Sequence, residues 1–188
     1  LLSSVDIAPA FLELAGLSTP KVFEGRSFLP LLRNPQKGIR EFVFAERNWH
    51  DYEDRARAVR NRRFKYIRNF YNDLPNTPPA DVVRSVAYRA MLRLRDEGRL
   101  VDAQKNTFIH PRAKEELYDT QSDPFELKNL ANDPAQARRL KRFGNALAKC
   151  SAGIIARCAR RCVPCAIENP FMSRLWDQPG MRRVRRFQ

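Results

Sequence analysis

The sequence predicts an α+β fold in which a small antiparallel sheet of about four strands packs against helices. Three short strand-like segments follow one another at residues 42–46, 56–60 and 63–70, and apolar and basic residues alternate in the last of them. Strands in such close succession are typical of an antiparallel meander. A further strand is predicted at residues 117–118.

Helical patterns flank these strands. The first, at residues 6–16, begins at Asp6, a residue type that caps helices, and ends at Gly16, which suits a left-handed stop. The longest lie at residues 81–98 and after Asp133. The apolar side chains expected to face a core are Ile7, Phe11, Leu14, Ala15, Val82, Val83, Val86, Ala90, Met91, Leu94, Leu140, Phe143 and Leu147.

The length of 188 residues suits one ordinary domain, or a domain followed by a tail. No apolar run approaches the roughly 20 residues of a membrane-spanning helix, so we predict no membrane partner. The first six residues lack a Met, a basic region and a cleavage site. We therefore predict no signal peptide here and expect the chain to begin within a fold.

The formal net charge of +14 is unevenly distributed. Residues 151–188 carry eight arginines against two carboxylates, Glu168 and Asp177, and no lysine. Such charge attracts nucleic acid, anionic lipid or a polyanionic sugar, and by itself it selects none of them.

The four cysteines lie at the start of this basic region, at positions 150, 158, 162 and 165. Only the last pair has the spacing of a zinc knuckle, and no second pair follows, which argues against a zinc module. A disordered basic arm, a small disulfide-bound module and translation in a shifted reading frame all remain open for residues 150–188. We favour the shifted frame, because the composition changes abruptly after Lys149.

The sequence offers few candidate catalytic residues. It contains no Gly-rich phosphate loop, no nucleophile elbow and only two histidines, so we predict no catalytic or metal-binding residue in this chain. The most concentrated binding candidate is the stretch 47–52, which follows a predicted strand. Arg47 and His50 can bind sulfate or carboxylate, Asp51 can accept hydrogen bonds from sugar hydroxyls, and Trp49 offers a flat face. A merely solvated loop is the alternative.

Several motifs, in order along residues 3–149, resemble those of the type I sulfatases. The segments 4–16 and 25–32 resemble a helix ending at Gly that precedes a Gly-Arg/Lys-Ser-Leu-x-Pro-Leu-Leu turn, and residues 116–131 resemble a later strand-turn-helix. The stretches 45–51, 57–60 and 65–69 are similar to the branch that contains N-sulfoglucosamine sulfohydrolase (heparan N-sulfatase).

The resemblance implies an alkaline-phosphatase-like fold in the full-length enzyme, whose large domain holds calcium and a formylglycine made from Cys. It assigns residues 1–35 to the helix and turn that join the large domain, and residues 36–149 to the smaller C-terminal subdomain. It also implies a periplasmic, secreted or lysosomal location. We expect no cofactor in this chain itself, because the Cys-x-Pro-Ser-Arg motif is absent from it.

The leading hypothesis is the C-terminal fragment of a sulfatase that acts on glycosaminoglycan-type sugars and is inactive alone. Loops of this subdomain line the substrate pocket in the family, which makes Arg47, His50 and Asp51 the candidates for binding a sulfated sugar, with Arg60 as the fourth. We expect exposed apolar surface on the helix at 6–16, because its partner, the N-terminal catalytic domain, lies outside this chain. The alternative is a basic nucleic-acid-binding module built on Arg62, Arg63, Lys65, Tyr66, Arg68 and Phe70.

Overall fold

The computed structural model contains one four-stranded sheet in the order β1-β2-β3-β4, with every neighbouring pair antiparallel. It describes the backbone of residues 1–161 and the side chains of residues 1–152. The predicted α+β class and strand number are confirmed. The strands are β1 (Val43–Trp49), β2 (Glu53–Arg60), β3 (Phe64–Asn69) and β4 (Glu115–Asp119).

The turn between β2 and β3 forms at the predicted position. The Oδ1 atom of Asn61 accepts hydrogen bonds from the backbone N–H groups of Arg63 and Phe64, at 2.9 and 2.7 Å. An asparagine side chain that satisfies the next backbone donors reverses the chain in this way. The first strand, β1, extends three residues beyond its predicted end at residue 46. Arg47 therefore lies in a strand rather than in a loop.

The helices and short 3-10 turns surround the sheet. The helices are α1 (Ile7–Leu14), α2 (Leu29–Arg33), α3 (Ala80–Val83), α4 (Val86–Asp96), α5 (Asp102–Lys105) and α6 (Ala137–Arg161), and the 3-10 turns are Ser4–Asp6, Asn106–Phe108 and Pro134–Gln136. The single helix predicted at 81–98 is in fact two, because Ser85 interrupts it and accepts a hydrogen bond from the Tyr88 N–H as a new N-cap.

The core lies between one face of the sheet and α6. The strand register sets Val59, Tyr66 and Leu117 side by side on that face, and all three are fully buried. From α6, Phe143 and Leu147 pack onto them, as the helical spacing predicts.

Two predicted apolar faces do not enter this core. Val86 of α4 is 80% exposed, so the expectation that it is buried is wrong. On α1, Ile7, Phe11 and Leu14 are largely exposed among the residues that the structure describes. This is the exposed apolar surface that we expect on the first helix.

The carboxylate of Asp6 has a different role from the predicted cap of α1. It is fully buried and accepts hydrogen bonds from the N–H groups of Ser3 and Arg26, both at 2.8 Å, and from the guanidinium of Arg40. It thereby ties the first helix to the segment that follows it. A glycine is needed at position 25, beside these hydrogen bonds, because a Cβ atom there would overlap the carbonyl oxygen of Val5.

Residues 1–147 form one compact unit. The final helix, α6, continues to Arg161, past the position where the sequence indicates the start of a tail. Residues 162–188, including two of the four cysteines, lie outside the described part of the chain. The alternatives for the tail therefore stay predictions.

The end of β4 carries an ion pair that makes stability depend on pH. Arg63 donates to Asp119 from Nε at 3.0 Å and from Nη2 at 2.7 Å, and this pairing holds the pKa of Asp119 at about 2. Because an unfolded Asp has a pKa of about 3.9, the stabilisation is present above that pH and is lost as the pH falls towards 2.

We expect the urea midpoint of unfolding to decrease between about pH 5 and pH 2.5, and to decrease less in Asp119→Asn. The matched control is Asp96→Asn, which alters an exposed pair with Arg95 and should keep the wild-type pH dependence. An unchanged pH dependence in Asp119→Asn would show that this pair does not link folding to proton binding.

Candidate substrate-binding site

The candidate site is the connection between β1 and β2, together with the loop that leads into α3. A shift of register between Arg47 and Trp49 loosens the end of the hairpin, and the N–H of His50 is 3.4 Å from the carbonyl oxygen of Tyr52. The carboxylate of Asp51 accepts a hydrogen bond from the N–H of Ala80, the first residue of α3, at 2.6 Å. This contact joins the hairpin to the loop at residues 72–79.

Arg47 is held in place by a charge network beneath the loop. One carboxylate oxygen of Asp54 pairs with Nη2 of Arg47, and the other accepts from Nη2 of Arg112 at 2.8 Å. Nη2 of Arg112 is also 3.0 Å from the carbonyl oxygen of Tyr71, and Nη2 of Arg47 is 3.2 Å from Oδ1 of Asn76. The network therefore connects β1, β2 and two loops.

Exposure increases outward through this network. The side chain of Arg112 is 9% exposed, that of Asp54 is 15% exposed and that of Arg47 is 51% exposed. Burial works against ionisation of Asp54, but the hydrogen bond from Arg112 and the charges of both arginines outweigh it and hold the pKa of Asp54 below its usual range. Asp54 is thus a fixed anion that orients the Arg47 guanidinium toward solvent.

The remaining side chains of the loop present a flat surface and further hydrogen-bonding groups. Trp49 is 61% exposed, and Tyr52 is also exposed. Nδ1 of His50 lies 3.2 Å from Oδ2 of Asp51, and the imidazole side chain is largely exposed. The N–H of Ala80, and then His50, hold the pKa of Asp51 below its usual range. An indole face beside charged donors suits a sugar ring that carries an anionic group.

Arg60, the fourth predicted residue, lies elsewhere. In the register of the hairpin, Arg47 faces Ala56 whereas Arg60 faces Val43, so the two arginines are separated by about 13 Å along the sheet. Nη2 of Arg60 is 3.4 Å from Oγ1 of Thr120. The structure brings Arg47, His50 and Asp51 together at one end of the sheet and places Arg60 at the other.

Comparisons with known proteins agree with the fold and the motifs. The family described as N-sulphoglucosamine sulphohydrolase, C-terminal, matches residues 1–81. An ulvan-active sulfatase of Formosa agariphila is 39% identical over 142 residues, which are 74% of this chain and 23% of that protein. The chain belongs to the sulfatase family. It corresponds to the C-terminal region of those enzymes.

More distant sulfatase relatives extend the match. Human N-sulphoglucosamine sulphohydrolase is 28% identical over 159 residues, which are 78% of this chain and 31% of the human protein. This chain therefore spans less than a third of the length of either the Formosa or the human enzyme. A solved structure of a protein bound to D-glucosamine-2-N,6-O-disulfate shares the fold, with a TM-score of 0.52, 23% identity, and coverage of 78% of this chain and 23% of that one.

Sequence reasoning did not find the residues that hold Arg47 in this sulfatase region. Asp54 and Arg112 are 58 positions apart, and Asn76 lies in a Pro-rich loop without periodicity. Arg112 follows a cis peptide bond between His110 and Pro111, and its position beside Asp54 depends on how the chain returns to the sheet as β4. No local pattern in the sequence carries that information.

The described part of this sulfatase region contains no cluster of three or more His, Cys, Asp or Glu side chains able to hold a metal ion. Within the same residues no helix is long and apolar enough to cross a membrane.

Proposed function

We propose that this chain is the C-terminal portion of a sulfatase that removes sulfate from glycosaminoglycan-type sugars, and that its β1–β2 loop contacts the sulfated sugar. The observation that carries the proposal is the pairing of Arg47 with Asp54, two positions before the exposed indole of Trp49 in the same strand. The names of the relatives support the substrate class, since they describe action on ulvan and on N-sulphoglucosamine.

Arg47 has donors available for an anion. Its Nη2 atom is used by Asp54 and Asn76, while Nε and Nη1 make no hydrogen bond within the described residues. A guanidinium presents its donors in a planar fork that matches a sulfate or carboxylate group. Because Asp54 and Arg112 already fix the orientation, little side-chain entropy is lost on binding.

In this proposal the sugar lies against Trp49 while the polar groups of the loop select it. The indole covers one face of the ring, His50 donates from its ring nitrogen, and Asp51 accepts from hydroxyl groups. Arg60 takes no part in this contact, because it lies at the other end of the sheet.

We further propose that the chain releases no sulfate by itself and that the apolar face of α1 contacts the catalytic domain of the complete protein. The exposed side chains of Ile7, Phe11 and Leu14 support the second point, because soluble proteins rarely expose a contiguous apolar helix face. Formylglycine and calcium supply the bond-breaking chemistry when present in the complete enzyme. We place that enzyme in the periplasm, a lysosome or the extracellular space.

The nucleic-acid alternative is not favoured. Among the strand residues that it requires, Tyr66 is fully buried and Lys65 pairs with Glu126 at 2.6 Å. Bases need exposed aromatic faces and phosphates need free cations. This strand face offers few of either.

Binding of N-sulfated glucosamine by the 188-residue chain tests the proposal, with the fluorescence of Trp49 as the signal. We expect Arg47→Gln to weaken binding by about tenfold or more, since a hydrogen bond to a charged group contributes about 1.5–3 kcal/mol. Loss of the fluorescence change in Trp49→Phe would show that Trp49 is its source. The matched control for Arg47→Gln is Arg93→Gln, which removes an exposed charge on α4.

Unsulfated glucosamine should bind much more weakly than the sulfated sugar. Equal affinity of Arg47→Gln and wild type would refute the role of the loop. Sulfate release from an aryl sulfate by the purified chain would refute the proposal that it is inactive alone.

A further inference from the structure

We propose that a second surface, at the start of α6, binds the sulfated polysaccharide chain at a distance from the β1–β2 loop. This basic cluster consists of Arg63, Arg138, Arg139, Lys141 and Arg142. The proposal rests on the proposed function, and it extends the substrate from one sulfated sugar to a polymer.

Most of the cluster lies at the N-terminus of α6, where cations destabilise a helix. The first six residues of α6 hold four cations and no acidic residue. The N-terminus of a helix carries partial positive charge, so cations there are unfavourable. Arg138 is also three and four positions from Lys141 and Arg142, a spacing at which like charges repel. Helix stability does not account for these residues, and a local conflict of this kind indicates a functional site.

Aromatic rings hold the guanidinium groups in place. The ring of Phe64 lies between Arg139, 3.7 Å from its centroid, and Arg63, 5.1 Å from it. Arg142 lies over Phe42 at 5.6 Å. A guanidinium that stacks on a ring keeps its N–H groups in its own plane, where an anion can accept from them. The cations are therefore arranged before any ligand arrives.

Few carboxylates neutralise the cluster. Arg63 pairs with Asp119, and Arg142 pairs with Glu41, but both side chains of the second pair are about 60% exposed. An exposed pair is weak and is readily exchanged for another anion. The other three cations of the cluster have no carboxylate partner among the described residues.

The position of the cluster favours a long ligand. Phe64 opens β3 and Phe42 precedes β1, so the cluster lies at the end of the sheet where Arg60 is also found. Arg47 and Trp49 lie at the opposite end of β1. Arg47 and Phe42 are five positions apart along the chain, so the two surfaces are separated by about 17 Å along the sheet. A monosaccharide cannot contact both, whereas an extended polyanion can.

The chemistry favours a sulfated polysaccharide over a single-stranded nucleic acid. Nucleic-acid grooves combine cations with exposed rings on which bases stack. Here Phe64 is buried beneath two guanidiniums and Phe42 is covered by Arg142 and packs against Phe143. No ring of the described cluster is left open for a base, while sulfate groups require only the cations.

The test is binding of the 188-residue chain to heparin, followed by fluorescence anisotropy over a range of salt concentrations. We expect Arg138→Gln combined with Lys141→Gln to weaken binding about tenfold at moderate salt and to reduce the salt dependence. Glutamine retains helix propensity, so thermal unfolding should show an unchanged fold. The matched control, Lys21→Gln with Lys37→Gln, removes the same charge from exposed positions elsewhere.

Each outcome decides the proposal. Equal losses in the two double variants would overturn it, because net charge alone would then explain binding. Single-stranded DNA that binds as tightly as heparin, and loses affinity in the same α6 variant, would overturn the polysaccharide assignment. The Arg47→Gln variant should weaken monosaccharide binding while it keeps the salt-dependent heparin binding that the cluster supplies, so failure of the loop and failure of the cluster are told apart.

Discussion

Replacement of Phe143 by alanine is expected to lower the free energy of unfolding by about 4 kcal/mol. Phe143 is 1% exposed and projects from α6 onto the buried face of the sheet, where Val59, Tyr66 and Leu117 lie in register. Its ring also meets that of Phe42 edge-on, with the centroids 5.3 Å apart. Removal leaves a cavity between helix and sheet that a rigid four-stranded sheet cannot close.

Urea denaturation of the whole chain measures this effect. The matched control is Phe125→Ala, which removes the same side chain from a position that is 80% exposed and should change stability by less than about 0.5 kcal/mol. Similar losses in both variants would show that α6 is not packed on the sheet as described. A loss of stability in Phe143→Ala much smaller than about 4 kcal/mol would also show that α6 is not packed on the sheet as described.

Replacement of Asp54 by alanine is expected to destabilise the chain by about 3 kcal/mol or more, because it leaves the buried guanidinium of Arg112 without its counter-charge. Nε of Arg112 is already buried without a hydrogen-bond partner within the described residues. The loss of Asp54 would leave only the carbonyl oxygen of Tyr71 to accept from this side chain.

Arg47→Ala is the matched control, since it removes the exposed arm of the same network and keeps the Asp54–Arg112 pair. We expect it to cost less than about 1 kcal/mol of stability. Binding of N-sulfated glucosamine should nevertheless be lost in Arg47→Ala. A loss of stability in this variant equal to that in Asp54→Ala would mean that Arg47 serves the fold rather than the ligand.

The two ends of the sheet divide the charged residues into groups with different roles. The end with Arg47 and Trp49 carries a fixed guanidinium next to an exposed ring, a geometry for one sugar unit. The end with Arg139 and Arg142 carries several cations over covered rings, a geometry for a polyanion. In our two proposals, these ends contact one extended sulfated substrate at two places.

The strands and the last helix were accessible from sequence because their signals are local. Alternation in β3, the Asn61 turn and the apolar spacing of α6 each depend on residues only a few positions apart. The helix at 81–98 was predicted in one piece, and the capping interaction of Ser85 divides it. Asp6 was predicted to cap α1, and its burial instead gives it three donors from residues before and after that helix.

The candidate site was only partly accessible for the same reason. Arg47, His50 and Asp51 are close in sequence, so one loop motif finds them. Arg60 was the fourth predicted residue, but the register of the hairpin places it at the other end of the sheet. Sequence gives the type of each side chain, but the distance between two strand residues depends on their pairing.

By itself, the sequence determined the family, the α+β class and the loop that we propose contacts the sugar, because motifs and periodicity reside in short stretches of chain. Only the tertiary structure decided that Asp54 and Arg112 hold Arg47, and that Arg139 of α6 meets Arg63 around Phe64. The Asp54–Arg112 pair joins residues 58 positions apart, and Arg139 reaches Phe64 only because the helix packs on the sheet. Packing, rather than local preference, sets which charges become neighbours.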